Sequence, residues 1–267
     1  LLPQSETISE ILAETISATI LALVIDGSTI DAQQGLNVSG AVAIINSGEF
    51  TISNEDLFSG GGLTISGNVT LSSNVNTVLA DITIGGDLTI AENQDIQIAT
   101  MCGDFTGVGK TTGVIAGGDE SLEITAGAGQ VVFNDVFGAN AGEFASGLTD
   151  LTVTSSGSAT VGNVDITGEL NIVATNFISQ LENSAISIGG GTFLTASDIT
   201  FSNINAQGGL TVNDVQITSD NALNLLGTIG GDLILDIQST LSANIGAAVK
   251  IVLDVNDNVA IINEQST

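Results

Sequence analysis

One short phrase returns along the chain: an apolar residue, a polar or small one, an apolar one, then Ser, Thr, Gly or Asn. It reads "LNVSG" from Leu36, "LTISG" from Leu63, "ITIGG" from Ile82, "LTIAE" from Leu88 and "LEITA" from Leu122. It continues as "LTVTS" from Leu151, "VDITG" from Val164, "ITFSN" from Ile199 and "LTVND" from Leu210, and closes with "LILDI" from Leu233 and "IVLDV" from Ile251. Apolar residues at every second position over so short a run predict strands with one buried face. Between the phrases stand "GGG" at 60–62 and 189–191 and "GGD" at 85–87, 117–119 and 230–232. Glycine reaches backbone conformations closed to other residues, so these are turn and corner positions.

Two architectures bury strands of this kind. In a solenoid each coil stacks on the last, like side chains form ladders, and strand edges are paired everywhere except at the ends. In a β-sandwich the strands return through hairpins, and "IDGST" at 25–29 has the residues of such a turn. Phrase spacing is uneven, from 6 residues (82 to 88) to 34 (88 to 122), which argues against a strict solenoid. The near absence of aromatics and the uniform aliphatic chemistry argue for one. The fold expected is all-β: a β-solenoid resembling a right-handed parallel β-helix, with the β-sandwich as the alternative. Ten to twelve coils stacked at ~4.8 Å would make a rod on the order of 50 Å long.

The opening differs from the rest, dividing the chain into an N-terminal segment, 1–27, and a β-rich body, 28–267. In "SETISEILAETISATILALVI", Glu6, Glu10 and Glu14 recur at a spacing of four, and Thr7 to Glu10 fits a capping box, so a short helix is one reading. Ile16, Ala18, Ile20 and Ala22 alternate with Ser17, Thr19 and Leu21, so a strand is the other. As a strand it could be exchanged into a neighbouring subunit's sheet.

Composition then narrows the function. The 267 residues carry 30 acids against two lysines, Lys110 and Lys250, with no Arg, His, Trp or Tyr, for a formal charge of −28. With 43% of residues apolar the chain is nonetheless a folding one. Nucleic acid is excluded as a partner, because two lysines cannot displace the counterions of a phosphate backbone. No membrane span is expected; the longest apolar cluster, "ISATILALVI" at 16–25, falls short of the roughly 20 residues a bilayer needs. Cys102 is single, so it forms no intrachain disulfide and reads as a small buried hydrophobe, with an interchain bridge as the alternative.

"GDFTGVGKTT" at 103–112 resembles a phosphate-binding loop in spelling. The glycine that should stand five residues before Gly109 is Asp104, and no helix pattern follows Lys110 and Thr111, so no helix dipole would face a phosphate. No nucleotide is expected there; Lys110 reads as a cation in a Gly-rich connection, paired with nearby carboxylates. Without His, and with no Ser, Thr or Cys that has a base partner, no catalytic residues emerge and the protein is not expected to be an enzyme. No cofactor is expected beyond Ca²⁺. "LDVNDNVA" at 253–260 sets out Asp254, Asn256, Asp257 and Asn258, the hard oxygen donors that ion takes. The bland reading of these residues is that they cap turns through their own backbones. Thr64, Thr83, Thr89, Thr200 and Thr211 could together form an outward ladder of an ice-binding kind.

One longer stretch, "LEITAGAGQVVFNDVFGANAGEFASGLTDLTVTSSGSATVGNVDITGELNI" at 122–172, resembles the degenerate repeats of filamentous haemagglutinin-like bacterial exoproteins and large repetitive adhesins. That resemblance implies a secreted β-helical fibre acting at the cell surface, and brings no catalytic residues. The expected function is that of a non-catalytic extracellular structural protein, a self-assembling subunit of a filament, sheath or surface layer whose partner is itself. The alternative is an adhesin or binding-module fragment, stabilised by calcium.

Overall fold

The computed structural model describes the chain apart from residues 1–16, 19–21, 28–29, 33–34, 115–119, 138–147, 156, 197, 207–209, 214–221, 230–231, 238–239, 246–249, 256–258 and 263–267. From Thr200 onward the strands are described by backbone path and register alone. Every strand pairing recorded is parallel, and each joins a strand to its counterpart one coil later. The molecule is a β-solenoid. Parallel pairing throughout overturns the β-sandwich alternative, which needs strands folding back on their neighbours. The proposed hairpin at 25–29 fails for the same reason: Ala22–Gly27 pairs with Ala41–Asn46, and Ile30–Ala32 with the next coil's Glu49–Ile52.

Each coil has three faces. Leu36–Val38, Ala41–Asn46 and Glu49–Ile52 form one coil, and Leu57–Ser59, Leu63–Ile65 and Asn68–Leu71 form the next. The first face is a 12-stranded sheet beginning at Ser17–Ala18 and ending at Lys250–Val255. The second and third faces run together as a 17-stranded sheet, because in the middle coils one strand bends across both: Phe105–Gly113, Val131–Phe137 and Ala159–Ile166. Residues 1–16, where helix and donor strand stood as alternatives, lie outside the described residues.

The alternation that marked the phrases is what packs the interior. On the first face Leu57, Val75, Ile98, Ile124, Val153, Ile172 and Leu194 stack in successive coils, all inward and buried. On the third face Phe50, Val69, Leu88, Thr111, Val136, Val164 and Ile186 do the same. Burying such a Leu, Ile or Val contributes about 1.5–3 kcal/mol each. Phe105 and Phe133 stack inside the second face with ring centroids 5.1 Å apart. Gly107, two residues beyond Phe105, is the register partner of Phe133, and a Cβ there would lie 3.3 Å from the Phe133 ring, so the missing side chain makes the room.

Coil length varies while the inward register holds. The step is 18 residues from Leu57 to Val75 but 29 from Ile124 to Val153. The extra residues fall in the chain between Val131–Phe137 and Asp150–Ser155. The uneven phrase spacing follows from this and from the three-sided coil. Ile82 and Leu88 are neighbouring faces of a single coil, whereas Leu88 and Leu122 lie two coils apart, on different faces.

Candidate functional site

At the corners, short polar side chains bond the backbone both within a turn and between coils. At the corner of the first and second faces, Ser59, Thr77 and Thr100 are fully buried. The Ser59 Oγ reaches the Gly40 carbonyl at 2.9 Å, Thr77 donates to the Ala80 carbonyl at 2.6 Å, and Thr100 donates to the Gly103 carbonyl. Just outside them the Asp104 N–H donates to Asp81 Oδ1 (2.9 Å) and the Gln130 N–H to Asp104 Oδ1 (2.7 Å). A short side-chain acceptor is thus supplied where the chain turns and the backbone ladder is interrupted.

The corner of the second and third faces uses the same device. The Gly67 N–H donates to Asn46 Oδ1 (2.9 Å), the Asp87 N–H to Asn68 Oδ1 (2.9 Å) and the Lys110 N–H to Asp87 Oδ1 (2.8 Å). At the edge of the first face the Asn74 N–H donates to Asp56 Oδ1 (3.0 Å), and the Gln97 N–H to Asn74 Oδ1 (2.8 Å). These Asp and Asn side chains accept from the following coil, some twenty residues away, because stacking brings that amide directly over the side chain.

The phosphate-loop spelling resolves into a strand. Phe105–Gly113 runs in register with Val131–Phe137 on one side and with Ile82–Ile84 and Leu88–Ile90 on the other. Lys110 therefore stands on a strand rather than in the expected Gly-rich connection. Its backbone bonds Asp87, and Asp135 is its register partner one coil on. Cys102 also departs from expectation, since it is exposed. It follows the inward Thr100 and lies in the turn beyond, outside the core.

The five threonines do not form one ladder, because they belong to three faces. Thr64 and Thr83 are adjacent on the second face, where Thr106 extends the row and Thr200 recurs several coils later. Thr89 lies on the third face in register with Thr70 and Thr112, and Thr211 on the first. Thr106, Thr70 and Thr112 were invisible to phrase matching, since only register reveals them. Of the calcium candidates, Asp254 lies on the backbone of Lys250–Val255, while Asn256, Asp257 and Asn258 lie outside the described residues. Among the described residues no three His, Cys, Asp or Glu side chains are grouped so as to hold a metal ion.

Two further features were not legible in sequence. Leu79 and Met101 have left-handed backbones (φ 57° and 60°) and are 68% and 53% exposed at the same corner. A bulky residue in that conformation is a strained exception, and the following coil places Gly127 (φ 59°) there instead. Three buried side-chain oxygens, Thr111 Oγ1, Thr192 Oγ1 and Glu120 Oε2, have no hydrogen-bond partner.

Compared with known proteins, the chain matches no family model, no curated protein and no solved structure.

Proposed function

We propose that this protein is a non-catalytic extracellular structural protein, a self-assembling subunit of a filament, sheath or surface layer. The observation that carries the reading is where its polar chemistry goes. Ser59, Thr100, Asn46, Asn68, Asp81, Asp87 and Asp104 serve coil-to-coil hydrogen bonds, Thr77 ties its own turn, and ladders of aliphatic residues fill the interior. Such a coil stack is a stiff element, suited to bearing load and to repeating along an axis. The abundant carboxylates oppose unwanted lateral aggregation by mutual repulsion. A place outside the cell rests on the resemblance of 122–172 to filamentous haemagglutinin-like exoproteins.

Electron microscopy of the purified chain, with and without a calcium chelator, tests it. Ordered filaments that survive chelation are expected; discrete particles in both conditions contradict self-assembly. The second reading, a fragment of an adhesin, draws on Leu79 and Met101, large apolar side chains held outward at a strained corner. Strain retained where glycine would serve points to selection for a contact. Discrete particles whose binding to a surface is lost in Leu79→Gly and Met101→Gly would favour that reading.

A further inference from the structure

Glu120 lies where an isolated charge is least tolerated. It immediately precedes Ser121–Gly127, whose inward residues are Leu122, Ile124 and Ala126, and the two-residue alternation turns its side chain the same way. The residue is fully buried. Oε1 accepts the Asn93 N–H at 3.3 Å, and Oε2 meets no partner.

Among the described residues no countercharge is placed to help. The chain has no Arg or His, and only two lysines. Lys110 stands at the corner between the second and third faces, in register with Asp135. Lys250 opens the last strand of the first face, six strands beyond Ser121–Gly127, or about 29 Å along the stack. The surroundings add negative charge: Asp95 and Asp150 are the register partners of Ser121 in the coils on either side. The Ser121 hydroxyl donates to Asp95 Oδ1 at 2.6 Å.

We infer that Glu120 is the anionic ligand of a bound calcium-like cation at the corner between the third and first faces, its free Oε2 being the first ligand atom. No three acidic side chains converge among the described residues, so main-chain oxygens and water complete the shell. A site with one carboxylate belongs in the weak class, with a dissociation constant on the order of 10⁻⁴–10⁻³ M. The site is independent of whether the chain polymerises. It is also separate from the stretch at 254–258.

The test compares the full-length wild type with Glu120→Gln and Glu123→Gln, in about 150 mM NaCl to suppress diffuse binding to the acidic surface. CaCl₂ at about 10 mM is expected to raise the wild-type Tm by about 2–4 °C over chelator. Glu123→Gln should keep that gain and Glu120→Gln should lose it. Equilibrium dialysis should find about one saturable Ca²⁺ per chain in the wild type and none in Glu120→Gln. Equal Tm gains in the wild type and Glu120→Gln, or no saturable ion in the wild type, overturn the inference. If Glu120→Gln does not fold, dialysis of a chain with Asp254→Asn and Asp257→Asn decides: one saturable ion whose removal lowers Tm supports the site, and none refutes it.

Discussion

The coils over 36–90 and those over 95–166 solve one corner in two ways. In the first group the second and third faces are separate strands, such as Leu63–Ile65 and Asn68–Leu71. Asn46, Asn68 and Asp87 then accept amides of the following coil across the break. In the second group one strand runs through the bend, and the register slips between Gly107 and Lys110. Side chains still bridge coils there, with Asn134 Nδ2 donating to the Val108 carbonyl (2.8 Å) and Asn163 Nδ2 to Asp135 Oδ1 (2.6 Å). The lesson is that the inward ladders set the register, and the corner accommodates whatever path the backbone takes between them. Asp87 is the seam, since it belongs to the first group and holds Lys110 of the second.

The strongest way to break the later coils is at Gly127. A Cβ there would lie 1.6 Å from the Met101 carbonyl oxygen, and the backbone is left-handed. Gly127→Ala is expected to destabilise by more than about 4 kcal/mol, read as a loss of cooperative unfolding or of soluble expression. A smaller change sharpens the comparison in the opposite direction. Thr111 interrupts the aliphatic ladder between Leu88 and Val136, and its buried hydroxyl is unpaired. Thr111→Val keeps the shape and should stabilise by about 1 kcal/mol in denaturant titration; Thr192→Val, between Leu170 and Leu210, should do likewise. The smallest effect is at the seam. Asp87→Ala leaves the Lys110 N–H without its acceptor at an exposed corner and should cost about 0.5–1 kcal/mol, whereas Asp87→Asn restores an acceptor and most of the loss.

Much of this fold could be read from the phrases themselves. Each quoted phrase over 36–213 falls on a strand, and its apolar positions, where side chains are described, are the buried ones, as in Leu63 and Ile65 or Leu122 and Ile124. Coil boundaries were hidden because three faces of unequal length generate several spacings, and coil length varies, 18 residues from Leu57 to Val75 but 29 from Ile124 to Val153, without altering the ladders. The role of the acids was hidden for a related reason. That Asp87 serves Lys110 depends on a contact 23 residues away in sequence, which no local pattern encodes. Cys102 was misplaced because its neighbours carry no alternation, so nothing in the string marked it as lying beyond the inward Thr100. Glu120 stands two residues before Leu122, on the inward phase of the phrase "LEITA", but an acid there reads as solvent-facing until the corner closes over it.

The stacking of parallel coils can be measured directly with a pair of spin labels at Thr64 and Thr160, in a chain with Cys102 replaced by Ser. Successive register partners link them on the second face: Thr64 to Thr83, Thr106, Val132 and Thr160. Four coil steps place them about 19 Å apart, although nearly a hundred residues separate them in sequence. A narrow distance distribution near about 20 Å is the result expected of the solenoid. A broad distribution, or a narrow one at a much longer distance, would contradict it.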